Sequence, residues 1–198
     1  MSEALLFSGG VDSSALAFWL RPAWAIFVDY GQVPAAGEFG AAKAIANTLS
    51  MPLVCLRVPT HELGSGLLAN ASSPAAAPTP EWWPFRNQLL ATLAAAWAIG
   101  HDVDRIILGS VASDRKRHVD GSPKFYQALN RVLSMQEGRI QVKAPALELT
   151  SAALVATSRI PDRLLGWTHS CHVAAVACGT CPGCIKRREV LAQMGRLL

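Results

Sequence analysis

Ser8-Gly9-Gly10-Val11-Asp12-Ser13-Ser14 follows the short apolar run Ala4-Leu5-Leu6-Phe7 and precedes an apolar, helix-compatible run from Ala15 to Leu20. That order predicts a strand, a glycine turn and a helix. Two glycines let the backbone pass close to an anion, and the first amides of a new helix point unpaired donors at it, with the helix dipole behind them. Ser8, Gly9, Gly10, Val11, Asp12 and Ser13 therefore read as a phosphate cradle. The stretch lacks the lysine of G-x-x-x-x-G-K-[ST] and the third glycine of the dinucleotide fingerprint, so neither motif fits. A plain strand-to-helix turn capped by Asp12 or Ser13 is the competing account.

Outward from this loop, short apolar runs alternate with helical ones, as in a parallel sheet covered on both faces. The expected fold class is α/β, a doubly wound, mostly parallel sheet. Strands are expected over 4–7, 24–29, 53–58, 104–109 and 139–143, and helices over 13–20, 36–50, 87–100, 122–136, 150–158 and 184–196. Asp29-Tyr30-Gly31-Gln32 falls past the carboxyl end of the second strand, where open α/β sheets bind ligands. Gly109 ends the fourth strand and Asp114 follows it, at the same edge. Residues 69–84 are rich in alanine, proline and serine, which predicts an irregular, mobile loop or lid. The whole, 1–198, reads as one domain.

Composition narrows the function classes. A content of 51% hydrophobic residues is enough for a sizeable core. No apolar run approaches the ~18 residues of a membrane span, and no signal-peptide pattern opens the chain, so the expected location is the cytoplasm and no membrane partner is expected. A net charge of +4 with only 16% charged residues is a thin surplus for nucleic-acid binding. Arg115-Lys116-Arg117 and Lys186-Arg187-Arg188 are the basic clusters, and each reads first as a solvated face.

Cys171, Cys178, Cys181 and Cys184 follow the pattern C-x6-C-x2-C-x2-C. In a cytoplasmic chain this spacing argues for a metal rather than disulfides. Gly179 and Gly183 are expected to supply tight turns that let the thiolates converge. Four thiolates suit tetrahedral zinc, with an iron–sulfur cluster as the rival. The metal-binding segment is expected at about 169–186. His169 and His172 flank the first cysteine as substitute ligands or as neighbours of the ligands. Cys55 sits apart in an apolar run and reads as an inert strand residue.

S-G-G-V-D-S at 8–13 resembles the pyrophosphate loop of the ATP pyrophosphatases, the PP-loop superfamily. With F-V-D-Y-G-Q at 27–32, F-R-N at 85–87, L-G-S-V-A-S-D at 108–114 and the four cysteines, nearly the whole chain resembles the 7-cyano-7-deazaguanine synthase family. The resemblance implies an adenine-nucleotide alpha-hydrolase-like fold with a structural zinc (Zn2+). It also implies ATP and Mg2+ as cofactors, 7-carboxy-7-deazaguanine and ammonia as substrates, and a homodimer. On this reading Asp12 holds magnesium, Arg86 and Asn87 grip phosphate or the substrate carboxylate, Asp114 is a candidate for base recognition, and Ser8–Ser13, Asp29–Gln32 and Gly109 bind the nucleotide. Asp12, Arg86 and Asp114 are the expected catalytic residues. An N-cap carboxylate for Asp12 and an ordinary surface arginine for Arg86 are the competing accounts.

The chain also departs from that family. Pro84-Phe85-Arg86-Asn87 stands where the family has P-G-R-N, which predicts an altered pocket entrance. Asp114-Arg115-Lys116-Arg117-His118 replaces a Tyr-Ser-Gly-Tyr-Pro-Asp segment after the aspartate, and Thr150-Ser151 replaces a threonine-lysine pair. Two enzyme readings follow. Ammonia is the nucleophile and a nitrile of the queuosine pathway the product; or the chain resembles divergent relatives in antiviral operons, which join the acyl group to an amine of a partner protein. A third reading is a non-catalytic, zinc-containing nucleic-acid-binding module.

Overall fold

The computed structural model describes residues 2–196; residues 1, 197 and 198, the ends of the expected domain, lie outside them. The elements run β1 (Glu3–Leu6), α1 (Val11–Leu20), β2 (Trp24–Asp29), α2 (Ala35–Thr48), β3 (Leu53–Arg57), α3 (Gly66–Ala69), α4 (Arg86–Ile99), β4 (Arg105–Ile107), α5 (Pro123–Ser134), β5 (Gln141–Lys143), α6 (Ser151–Ser158), α7 (Asp162–Leu165) and α8 (Pro182–Gln193). The sheet order is β3-β2-β1-β4-β5, with every pairing parallel.

Alternation along the strands explains the two apolar layers. Leu5, Phe7, Ala25, Phe27 and Ile107 face one side, where α1, α2, α6 and α8 bring Leu16, Ile45, Leu154 and Leu191. Ala4, Ile26, Val28, Ile106 and Leu108 face the other, against Ala91, Ala94 and Ala98 of α4 and Tyr126, Leu129 and Leu133 of α5. Small alanines on α4 let the helix lie close on the strands. Each large side chain buried this way contributes about 1.5–3 kcal/mol.

Strand order reverses between β1 and β4, because one chain half winds outward through β2 and β3 and the other through β4 and β5. Open α/β sheets hold ligands at this switch point, outside the strands' carboxyl ends.

Several boundaries depart from the sequence expectation. Helix α1 begins at Val11, not 13, because extended Gly10 is its N-cap and no side chain caps it. Asp12 and Ser13 thus lie inside the first turn rather than closing it. Strand β4 is shorter than 104–109; by Gly109 the backbone passes over the start of α1, where an added Cβ would sit 3.6 Å from Ser13 Cα. Helix α8 begins at Pro182, since proline fits a first helical position and Cys181 Sγ accepts the Cys184 N–H at 3.5 Å. The 69–84 run is anchored at its far end, from Pro80 to Trp83, while 70–76 are exposed. Leu67 N–H donates to Pro80 O, Ser65 Oγ–H donates to Trp82 O at 2.7 Å, and Trp83, 2% exposed, meets Tyr30 edge-on at 4.8 Å.

Candidate active site

Gly9 makes the loop possible. Its φ is +74°, and a Cβ there would lie 2.6 Å from Ala42 N and 2.8 Å from Glu38 O. Side chains are excluded on both counts. Ser8 Oγ accepts the Gly10 N–H at 3.3 Å and lies 3.3 Å from Ser13 Oγ, which donates to Gly10 O. With Gly10 as an N-cap without a side-chain acceptor, the first amides of α1 face a cavity of about 750 Å³.

Ser8, Gly10, Val11, Asp12, Ser13, Gly109 and Asp114 all line that cavity. From the second strand's edge, Tyr30 and Gln32 line it, while Asp29 and Gly31 build the turn that presents them. Asp29 Oδ1 accepts the Gly31 N–H at 3.1 Å, and Gly31, at φ +92°, leaves no room for a Cβ against His61. Gln32 Oε1 accepts the Tyr30 N–H, and its Nε2 donates to Val28 O and to Glu38 Oε2 at 2.9 Å. Burial pushes the Glu38 carboxyl up to about 7, against the downward pull of Gln32 and Arg86. Burial also works against the charge on Arg86, but neighbouring Tyr30, Asp120 and Glu38 outweigh it and raise its pKa. Asn87 donates through Nδ2 to Asp120 O at 2.8 Å, which pins the start of α4.

Lys186 is the cation the sequence reading left on a solvated face. Its Nζ donates to Asp12 Oδ2 at 2.9 Å and lies 3.7 Å from Asp114 Oδ1. Burial lowers the lysine pKa and the two carboxylates raise it, with a net rise. Its cluster neighbours do structural work: Arg187 donates to Thr168 Oγ1 and Leu165 O, and Arg188 to Gly179 O. The signal that separates Lys186 from them is spacing, two residues past the last cysteine on a helix that starts beside the loop. Phe85 departs from its expected role at the pocket mouth. It is 75% exposed, does not line the cavity, and caps α4 at φ +55°.

The four cysteine Sγ atoms lie within 4.8 Å of one another, with Cys171–Cys181 and Cys178–Cys184 both at 3.9 Å. Such a cluster can hold one metal ion. Backbone amides of His172, Cys181 and Cys184 donate to sulfur at 3.3–3.5 Å, the pattern of a turn that stabilises thiolates. Neither flanking histidine joins the set: His169 Nε2 meets Ala174 O at 3.0 Å, and the His172 ring lines the cavity. Gly179, at φ +79°, makes the expected turn. Gly183 does not; it lies in α8, and its use is close approach, since a Cβ would meet Ser170 O at 1.8 Å. The cysteine segment docks on the 8–13 loop through His169 N–H, which donates to Gly9 O at 3.0 Å.

Four residues that line this one cavity each carry a buried polar atom without a hydrogen-bond partner among the described residues: Asp12 Oδ1, Glu81 Oε2, Ser151 Oγ and His172 Nδ1. Buried polar groups are nearly always satisfied, so this concentration marks a place built for a ligand. Glu81 is not legible from the sequence, since nothing in its local pattern sets it apart; Ser151 stands out there only as the residue that replaces the lysine of a threonine-lysine pair.

Among solved structures, the U34-tRNA thiolase NcsA from Methanococcus maripaludis with its 4Fe-4S cluster aligns over 98% of this chain and 64% of its own, with a TM-score of 0.57 and 16% identity. The NMN synthetase from Francisella tularensis aligns over the full chain and 78% of its own, with a TM-score of 0.50 and 13% identity. These likenesses concern the fold. Curated relatives include the 7-cyano-7-deazaguanine synthases of Laribacter hongkongensis, 28% identical over 96% of this chain and 90% of that protein, and of Koribacter versatilis, 30% identical over 96% and 89%. The family model described as "Queuosine biosynthesis protein QueC" matches residues 3–195. The chain therefore belongs to the QueC family of queuosine biosynthesis proteins.

Proposed function

We propose that this protein adenylates 7-carboxy-7-deazaguanine with ATP and passes the activated acyl group to ammonia, ending at 7-cyano-7-deazaguanine. The observation that carries this reading is the convergence of the 8–13 loop, Asp12, Lys186, Arg86 and Asp114 on one cavity at the switch point.

A carboxylate resists nitrogen nucleophiles until one of its oxygens becomes a leaving group. The substrate carboxylate attacks the α-phosphorus of ATP and pyrophosphate departs. Amides of the loop and the Ser8 and Ser13 hydroxyls are suited to hold the charge that gathers on pyrophosphate. Lys186 adds a fixed positive charge beside the same loop. Ammonia then attacks the acyl carbon, AMP leaves, and the nitrogen loses a proton to give the amide. A second ATP activates the amide oxygen; AMP and pyrophosphate leave, and loss of two protons from nitrogen completes the nitrile.

The buried, unpartnered Asp12 Oδ1 fits a divalent cation, so Asp12 would hold Mg2+, which would neutralise phosphate charge when bound. Zinc is the ion we assign to the cysteines. Four thiolates about 2.3 Å from a tetrahedral centre stand roughly 3.8 Å apart, close to the 3.9 Å of two of the sulfur pairs in a set that lies within 4.8 Å. Its role is structural, holding α8 so that Lys186 reaches Asp12.

The test is mass spectrometry of products from ATP, magnesium, 7-carboxy-7-deazaguanine and ammonia, with Asp12→Ala beside the wild type. Nitrile with two AMP per product, and no AMP from a normally folded Asp12→Ala, is expected. Amide-linked base on an amine of a partner protein, with nitrile absent, would replace ammonia by that partner. AMP release unchanged in Asp12→Ala would remove the loop from the chemistry.

A further inference from the structure

Beyond Asp114 the cavity changes character. Amides of Arg117 and His118 donate to Asp114 O at 2.9 and 2.8 Å, and their side chains turn onto Glu81. Arg117 Nη2 donates to Glu81 Oε1, and His118 Nε2 lies 3.8 Å from the same oxygen. Glu81 is only 4% exposed, and its other oxygen, Oε2, is buried with no partner. All three residues line the cavity that holds the phosphate loop. Burial drives the Glu81 carboxyl upward, but His118, Arg117 and His172 outweigh it and bring it down to about 2, so the carboxylate is ionised.

A buried carboxylate repels the triphosphate. What suits it is a donor, and the desolvation cost of the free oxygen means that the right donor is selected strongly. Beside this acceptor stands the Arg117 guanidinium, a donor with no acceptor capacity. Acceptor and donor side by side complement a lactam edge, in which a ring N–H adjoins a C=O. Asp114, the sequence candidate for base recognition, is already engaged: its Oδ2 accepts the Val111 N–H at 3.0 Å and its Oδ1 faces Lys186.

We infer that Glu81, paired with Arg117, is the specificity-determining residue for the heterocycle, with Oε2 accepting the ring N–H and Arg117 donating to the adjacent carbonyl of a guanine-type lactam. This rests on the adenylation reading above. It assigns the proline-rich segment, through its anchored end at Glu81, to substrate selection.

The experiment measures AMP release with ATP, magnesium and varied ammonia on 7-carboxy-7-deazaguanine and on 7-carboxy-7-deazaadenine, whose edge reverses the donor and acceptor. Wild type should prefer the guanine type by about 10²-fold or more in kcat/KM, since a site built for a hydrogen-bond pattern rejects the mismatched one. In Glu81→Ala the preference should fall below about tenfold, mostly through KM for the acid, with KM for ATP unchanged. If Glu81→Ala does not fold, Glu81→Gln, of the same shape, is judged by the same ratio. Full preference retained in the folded variant overturns the inference. So does a rise confined to KM for ammonia, which would make this an amine site. A wild type that binds ATP but releases no AMP with either acid would sink the adenylation reading itself, and this inference with it.

Discussion

Lys186 and Asp12 lie 174 positions apart in sequence and 2.9 Å apart in space. Lys186→Ala should lower the rate of AMP release by roughly 10²-fold, as expected when one charged group aimed at developing phosphate charge is removed. A rate unchanged in steady-state assays would reduce the lysine to a counter-ion for Asp12. Phe85 makes a separate point. A phenylalanine at φ +55° costs about 1–2 kcal/mol relative to glycine, and its ring gains little in return while exposed. Phe85→Gly should therefore stabilise the protein by up to about 1 kcal/mol in urea titrations, less whatever entropy glycine adds to the unfolded chain. Glu38 governs a pH response. Its folded value of about 7 exceeds the ordinary 4.5, so between those values the folded protein keeps a proton that the unfolded chain has released. Its contribution to stability falls as pH rises through that window. Glu38→Gln removes this slope and should gain stability relative to wild type between about pH 5 and about pH 8 in parallel thermal melts.

At the scale of elements, α8 and the cysteine turn form one device. Pro182 opens the helix, Gly183 lets it pass close to Ser170, and His169 ties the segment to Gly9. On the proposed structural-metal reading, Cys181→Ser should release the metal, lower the melting temperature and abolish AMP release together, because Lys186 rides on α8, which begins right after Cys181 and carries Cys184. Structural zinc contributes on the order of 10 kcal/mol in small motifs, so loss of α8 order should be visible in hydrogen exchange over 171–193. Metal loss with full activity would separate the two. The strands and longer helices were legible from the sequence because alternation and apolar runs report burial directly: Ala4 to Phe7 and Trp24 to Asp29 carry that pattern. Short α3 and α7 escaped because four residues carry no readable period.

For the whole molecule, the cavity joins the two chain halves at β1 and β4 and the far C-terminal segment. A nucleotide bound there at about 100 times its Kd should stabilise the fold by about 2.7 kcal/mol, seen as a raised melting temperature. Gly9→Ala should lose that shift, since its Cβ would force Ala42 away from the loop. A shift of full size in a folded Gly9→Ala protein would move the nucleotide elsewhere.

The glycine turn between β1 and α1, the parallel α/β fold and the four clustered cysteines were determined by the sequence alone, since each depends on local spacing: glycines between a strand and a helix, period-two and helical patterns, and sulfurs a few residues apart. Only the tertiary structure decided that Lys186 is the cation at Asp12, that Glu81, with a buried and unpartnered oxygen, lines the cavity, and that Phe85 does not. A side chain's electrostatic partner is set by which elements pack together. Contacts such as Glu81 with Arg117, 36 positions apart, leave no trace in the local pattern of either segment.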